Sequence, residues 1–162
     1  MRALMIPVIA AALLQAGCQR SATLDVELLT TAAAVDGELL AQPQAIELLD
    51  DAYRLHRLPL KLEQPLALGA AATPQLLPAG RLPPGHYLGL RLLFASPVWW
   101  QDAAAQRLPL AVDAQGPFED IDLVLAAGEH RRLQIALDLP GSLPFDAPFH
   151  ERHRFVPLLA WR

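Results

Sequence analysis

From Thr23 the chain alternates apolar and polar side chains. Leu24, Val26 and Leu28 fall on one side and Thr23, Asp25 and Glu27 on the other, as a half-buried strand requires. The same period returns near the end, where Ile121, Leu123 and Leu125 alternate with Asp120 and Asp122. After Ala126-Ala127-Gly128-Glu129 come Leu133, Ile135, Leu137 and Leu139. Two alternating runs around a short glycine-containing loop predict a β-hairpin. In Leu82-Pro83-Pro84-Gly85, Pro84 suits the second position of a type II turn and Gly85 the positive φ that follows it. A strand is then expected over His86 to Phe94, with Leu88, Leu90, Leu92 and Phe94 on one face and Tyr87, Gly89, Arg91 and Leu93 on the other. Weaker period-two runs lie at Ile46 and Leu48, at Leu58, Leu60 and Leu62, at Leu108, Leu110 and Val112, and from Phe155 to Trp161. Pro59 marks its run as an edge strand or a strand end. The stretch from Gly69 to Gly80, rich in Ala and Pro, predicts no regular element. About seven short strands at turn-bounded intervals point to an all-β fold, an antiparallel β-sandwich.

Composition cuts the other way and is overruled. Ala, Leu and Arg are strong helix formers, but 15 prolines leave few stretches long enough for an uninterrupted helix. The apolar fraction of 53% is enough for a real core, and the formal charge of -4 lacks the basic surface that a phosphate backbone requires, so nucleic acid is not an expected partner. The absence of Asn and the single lysine, Lys61, beside abundant Ala, Leu, Pro and Arg indicate a codon bias toward G and C rather than a site.

The first eighteen residues break the pattern. A basic start, Met1-Arg2, leads into an apolar run from Ala3 to Leu14 and then Gln15-Ala16-Gly17-Cys18, the shape of an export signal. The run is shorter than the roughly 20 residues of a spanning helix and holds Pro7. It resembles the signal of bacterial lipoproteins, in which cleavage precedes a cysteine that becomes lipid-modified. The resemblance implies residues 1–17 as signal peptide, Cys18 as lipid attachment site, 18–21 as a lipidated tether and 22–162 as the sandwich domain. Gln19, rather than Asp, in the second mature position implies sorting to the outer membrane. Cys18 is the only cysteine, so no intramolecular disulfide competes for it.

Three segments carry a second resemblance: LPPGHYLGLRLLF, AAGEHRRLQIALDLPGSL and RFVPLLAW. They are similar to an uncharacterised bacterial family of lipid-anchored domains with a transthyretin-like or carboxypeptidase-regulatory-like β-sandwich. The corresponding positions are Pro84, Gly85, Tyr87, Arg91, Leu92, Asp138, Ser142, Leu143 and Pro157. The resemblance implies the fold and no activity.

Candidate chemistry is sparse. His150 and His153 would share a helix face, but Pro148 and the following strand speak for an extended segment that points them apart, and no metal site is expected. Asp120 and Asp122 share a strand face, whose usual meaning is a solvated outer surface, as opposed to a calcium loop. Asp50-Asp51 and Glu119 complete the acidic clusters. Ser21, Ser96 and Ser142 are the only serines and none lies in a nucleophile elbow. Neither catalysis nor a cofactor is expected. Pro97-Val98-Trp99-Trp100-Gln101-Asp102 is the one stretch that reads as a partner-binding surface. On a strand, Trp99 and Trp100 face opposite ways, and the one facing outward could stack on a glycan or anchor an envelope protein. The sequence therefore predicts a lipid-anchored, non-catalytic binding or assembly module of the cell envelope. A carrier of a small apolar ligand is the alternative and a hydrolase the more remote one.

Overall fold

The computed structural model describes residues 20–31, 36–69, 73–112, 116–143 and 154–161. Cys18, His150 and His153 lie outside them. Thirteen strands and one helical turn are described. β1 (Ala22–Thr31), β6 (Gln75–Leu82), β11 (His130–Asp138) and β13 (Leu159–Trp161) form a four-stranded sheet in the order β13-β11-β1-β6. A second sheet has the order β10-β7-β3-β4 and is built from β3 (Pro43–Asp50), β4 (Leu55–Pro59), β7 (Gly85–Phe94) and β10 (Glu119–Leu125). The third, of five strands, runs β12-β9-β8-β2-β5 and comprises β2 (Gly37–Ala41), β5 (Leu66–Gly69), β8 (Val98–Asp102), β9 (Arg107–Val112) and β12 (Arg154–Phe155). The turn α1 (Leu139–Ser142) follows β11.

The molecule is an all-β sandwich, and one hydrophobic cluster holds its sheets together. Leu24, Val26 and Leu28 of the first sheet, Ile46, Leu48, Leu90 and Leu92 of the second, and Leu39, Trp100 and Leu110 of the third all belong to that cluster. Each is removed from water because period-two alternation sends one set of side chains to the inner face of its sheet. β1 shows this along its whole length, with Ala22, Leu24, Val26 and Leu28 buried and the residues between them half-buried. Strands are more numerous than sequence alternation suggests, and two pairs, β1 with β11 and β12 with β9, are parallel.

Five local expectations are corrected. The runs around residues 126–129 do not form a hairpin: β10 pairs with β7, and β11 pairs with β1 in the other sheet. A tight turn, with Glu129 N–H donating to Ala126 O at 3.1 Å and Gly128 at φ 77, carries the chain across the sandwich. Alternation fixes which face is greasy but says nothing about which strand lies alongside. Gly85 is the first residue of β7 and is not among the glycines with positive φ, so the type II turn is absent. Pro83-Pro84 instead bridges the first and second sheets, and the crossing is tied by Tyr87 Oη donating to Pro83 O at 2.7 Å.

Within β7 the register slips around Leu88, so the strand changes face. Tyr87 is buried before the slip, Gly89, Leu90, Leu92 and Phe94 after it, and Leu88 is only half-buried. An extra residue in one strand has this effect on side-chain phase. The stretch placed outside regular structure contains β6, an edge strand in which Pro78 is tolerated because one flank needs no ladder hydrogen bond. Finally, the run from Phe155 to Trp161 is two strands in two sheets. Its crossing is clasped by Ser142, whose carbonyl accepts from Val156 N–H at 3.1 Å and whose Oγ accepts from Leu158 N–H at 3.0 Å.

Candidate binding face on the five-stranded sheet

β8 is a short strand between β9 and β2, and its alternation splits the tryptophan pair. Trp100 turns inward and is 7% exposed, whereas Trp99 turns outward and is 40% exposed. The inward ring needs Gly37 beneath it. A Cβ there would meet the Trp100 indole and sit 2.6 Å from Gln101 O, and Gly37 has φ 146, which side-chain-bearing residues rarely adopt.

Register places the outward residues in rows. Leu40 is paired with Ala67 on one flank and with Trp99 on the other, and Trp99 is paired with Pro109. The resulting apolar row, Ala67-Leu40-Trp99-Pro109, crosses four strands, a span of about 14 Å at the usual strand spacing. Two residues along lies a polar row. Gln101 Nε2 donates to Glu38 Oε1 at 3.4 Å and Arg107 Nε donates to Gln101 Oε1 at 2.9 Å. The carboxylate and the guanidinium are thereby linked through a neutral amide, so the row offers donors and acceptors with little net charge. Sequence reading named Trp99 and Trp100 without separating them, set Gln101 beside them, and missed Glu38 and Arg107. Their outward phase is legible in each strand, but the pairing that aligns them joins positions far apart in the chain.

The remaining polar clusters are structural. Asp50, 3% exposed, accepts from His56 Nε2 (2.8 Å) and Arg54 Nε (2.8 Å) on Oδ2, and from the N–H groups of Ala52 (3.0 Å) and Arg54 (2.8 Å) on Oδ1. The hydrogen bond from His56, aided by those from Arg54 and opposed by burial, holds its carboxyl well below the usual carboxylate range. Burial pushes the Tyr87 phenol upward, and the Asp50 charge adds to this. On the outer face of the second sheet, Glu47 is buried and receives Arg91 through Nε (2.7 Å) and Nη2 (2.6 Å), while the guanidinium lies 4.4 Å over the Phe118 ring.

Two further His–Asp contacts, His86 with Asp122 and His130 with Asp25, each span 2.7 Å at the surface. Asp120 and Asp122 both stand on the exposed face of β10. Among the described residues, no group of three or more His, Cys, Asp or Glu is placed to hold a metal ion. Ser96 and Ser142 accept from the backbone N–H groups of Val112 and Leu158. The residues behind the family resemblance are likewise architectural: Tyr87 ties a crossing, Arg91 pairs with Glu47, and Asp138 caps α1 by accepting from Gly141 N–H. Searches of protein-family models, curated proteins and solved structures gave no match to this chain.

Proposed function

We propose that the protein is a non-catalytic binding module of the bacterial envelope, tethered by acyl chains on Cys18, that engages a glycan through the outer face of its five-stranded sheet. The observation that carries this reading is the half-exposed Trp99, set in an apolar row beside the linked Glu38-Gln101-Arg107 row. A sugar ring has one apolar C–H face and a rim of hydroxyls. The indole suits the first and a self-neutralised row of donors and acceptors suits the second. The resemblance of residues 1–18 to a lipoprotein signal supports the tether, and the similarity to lipid-anchored transthyretin-like domains is consistent with it.

The test is titration of the full chain with envelope glycans, peptidoglycan fragments and lipopolysaccharide core sugars, read by tryptophan fluorescence. Trp99→Ala is expected to weaken binding about tenfold or more, since each 1.4 kcal/mol is a decade and central aromatics often carry more. The thermal midpoint should stay nearly unchanged. Unaltered affinity in the variant, or no glycan binding at all, overturns the reading. Cys18→Ala should release the protein from membranes without altering its fold, and continued fractionation with lipid overturns the tether.

A further inference from the structure

Two turns of this molecule are built alike. Asp50 opens the turn between β3 and β4, and Asp102 opens the turn between β8 and β9. Each aspartate donates its N–H to the carbonyl four residues on, Arg54 at 3.0 Å and Gln106 at 3.1 Å. Each accepts on its own carbonyl from the N–H three residues on, Tyr53 at 2.9 Å and Ala105 at 3.0 Å. Oδ1 of each also accepts from two N–H groups, those of Ala52 and Arg54 in one turn and Ala104 and Gln106 in the other. Both fourth positions are left-handed, with φ 59 at Tyr53 and φ 61 at Ala105.

The comparison isolates Tyr53. Ala105 shows that the turn closes with no large side chain at this position, where any such residue costs conformational energy. Tyr53 is 79% exposed and Leu55 is 51% exposed, so neither recovers much of its burial energy within the fold. Arg54 stands between them with its side chain 73% exposed and its Nε fixed by Asp50. The tip therefore displays an aromatic, a cation and an aliphatic side chain on a rigid loop, with the exposed carboxylate of Asp51 beside them.

Its place in the molecule suggests what it meets. Asp51 N–H donates to His86 O at 3.0 Å, Gly85 is paired with Leu125, and Gly128 N–H donates to Arg20 O at 3.1 Å. The Tyr53 tip, the Pro83-Pro84 crossing, the 126–129 turn and the entry of the chain at Arg20 thus share one end of the sandwich. Arg20 follows Cys18 by two residues, a reach of about 7 Å.

From this placement the geometry points to the bilayer surface as the occupant of that end, with Tyr53 and Leu55 seated among lipid headgroups and Arg54 beside a phosphate. The inference rests on the Cys18 tether and extends it. So short a leash leaves this end of the domain at the lipid. A tyrosine is at home in the interface, arginine attracts anionic headgroups, and a preformed turn loses little entropy on docking. The β2–β3 and β7–β8 ribbons then carry the Trp99 face away from the membrane.

The experiment uses the acylated full chain in vesicles of phosphatidylethanolamine and phosphatidylglycerol. Ala52→Cys supplies the sole free thiol for an environment-sensitive dye, because acylation blocks Cys18. Ala104→Cys, in the twin turn at the far end of the β2–β3 ribbon, serves as reference. The dye at residue 52 is expected to shift to the blue and to be quenched by headgroup nitroxide lipids severalfold more than at 104. Tyr53→Ser with Leu55→Ser should diminish that difference while the protein stays tethered. Water-like emission at both positions, with acylated Cys18 confirmed by mass spectrometry, overturns docking and leaves the tether standing. An unmodified Cys18 overturns the tether and the inference with it. A shift seen in native envelope membranes but not in these vesicles assigns the tip to a protein partner and overturns the inference.

Discussion

Asp50 and Gly37 are the residues on which most local geometry converges. Asp50 is buried among donors, and its carboxyl is held below the ordinary range, chiefly by His56. A depressed folded-state value means that its contribution is fully present above the unfolded carboxyl value, about 4, and is lost as pH falls through the folded value. Asp50→Asn should therefore lower the urea midpoint at pH 7, and the gap between variant and parent should narrow as the pH drops below about 4. A gap independent of pH would contradict the charged role. Gly37→Ala should cost about 3 kcal/mol, because left-handed strain is added to displacement of the Trp100 ring. Gly85 is the opposite case. Its surroundings are open and its φ is not positive, so Gly85→Val should leave the thermal midpoint within a few degrees of the parent.

Strands and their faces were largely readable from the sequence; their neighbours were not. β1 declares itself because every second residue from Ala22 to Leu28 is buried in an unbroken register with β11. β7 misleads because one extra residue at Leu88 reverses its phase, and no side-chain pattern marks such a slip. β10 and β11 keep the predicted faces yet join different sheets, since a short glycine turn suits a crossing as well as a hairpin. At the candidate face, Trp99 was visible as one of a pair, but its exposure depends on β2 and β9 covering the flanks of β8.

The Glu47–Arg91 pair joins β3 to β7 on a face where an unpaired charge would be poorly solvated. Arg91→Leu alone should cost roughly 3 kcal/mol by leaving the buried carboxylate with only the exposed Arg57, at 3.9 Å. Combining it with Glu47→Leu should recover most of that loss. Urea denaturation of the four proteins of this double-mutant cycle measures the coupling, and additive losses would mean that the pair contributes no specific interaction.

At the scale of the whole molecule, the first strand holds the centre of its sheet between β6 and β11. Its partner on one side comes from the far end of the polypeptide: Glu27 receives a hydrogen bond from Gln134, 107 residues later. Such non-local pairing is slow to form, because loop-closure entropy must be met before the contact returns any energy. During synthesis β1 has to wait, one flank open, until the segment of β11, 107 residues later at the Glu27–Gln134 contact, has been made. A nascent chain so delayed keeps one edge of its opening strand unpaired, a ready template for wrong partners, until β11 arrives to close the sheet.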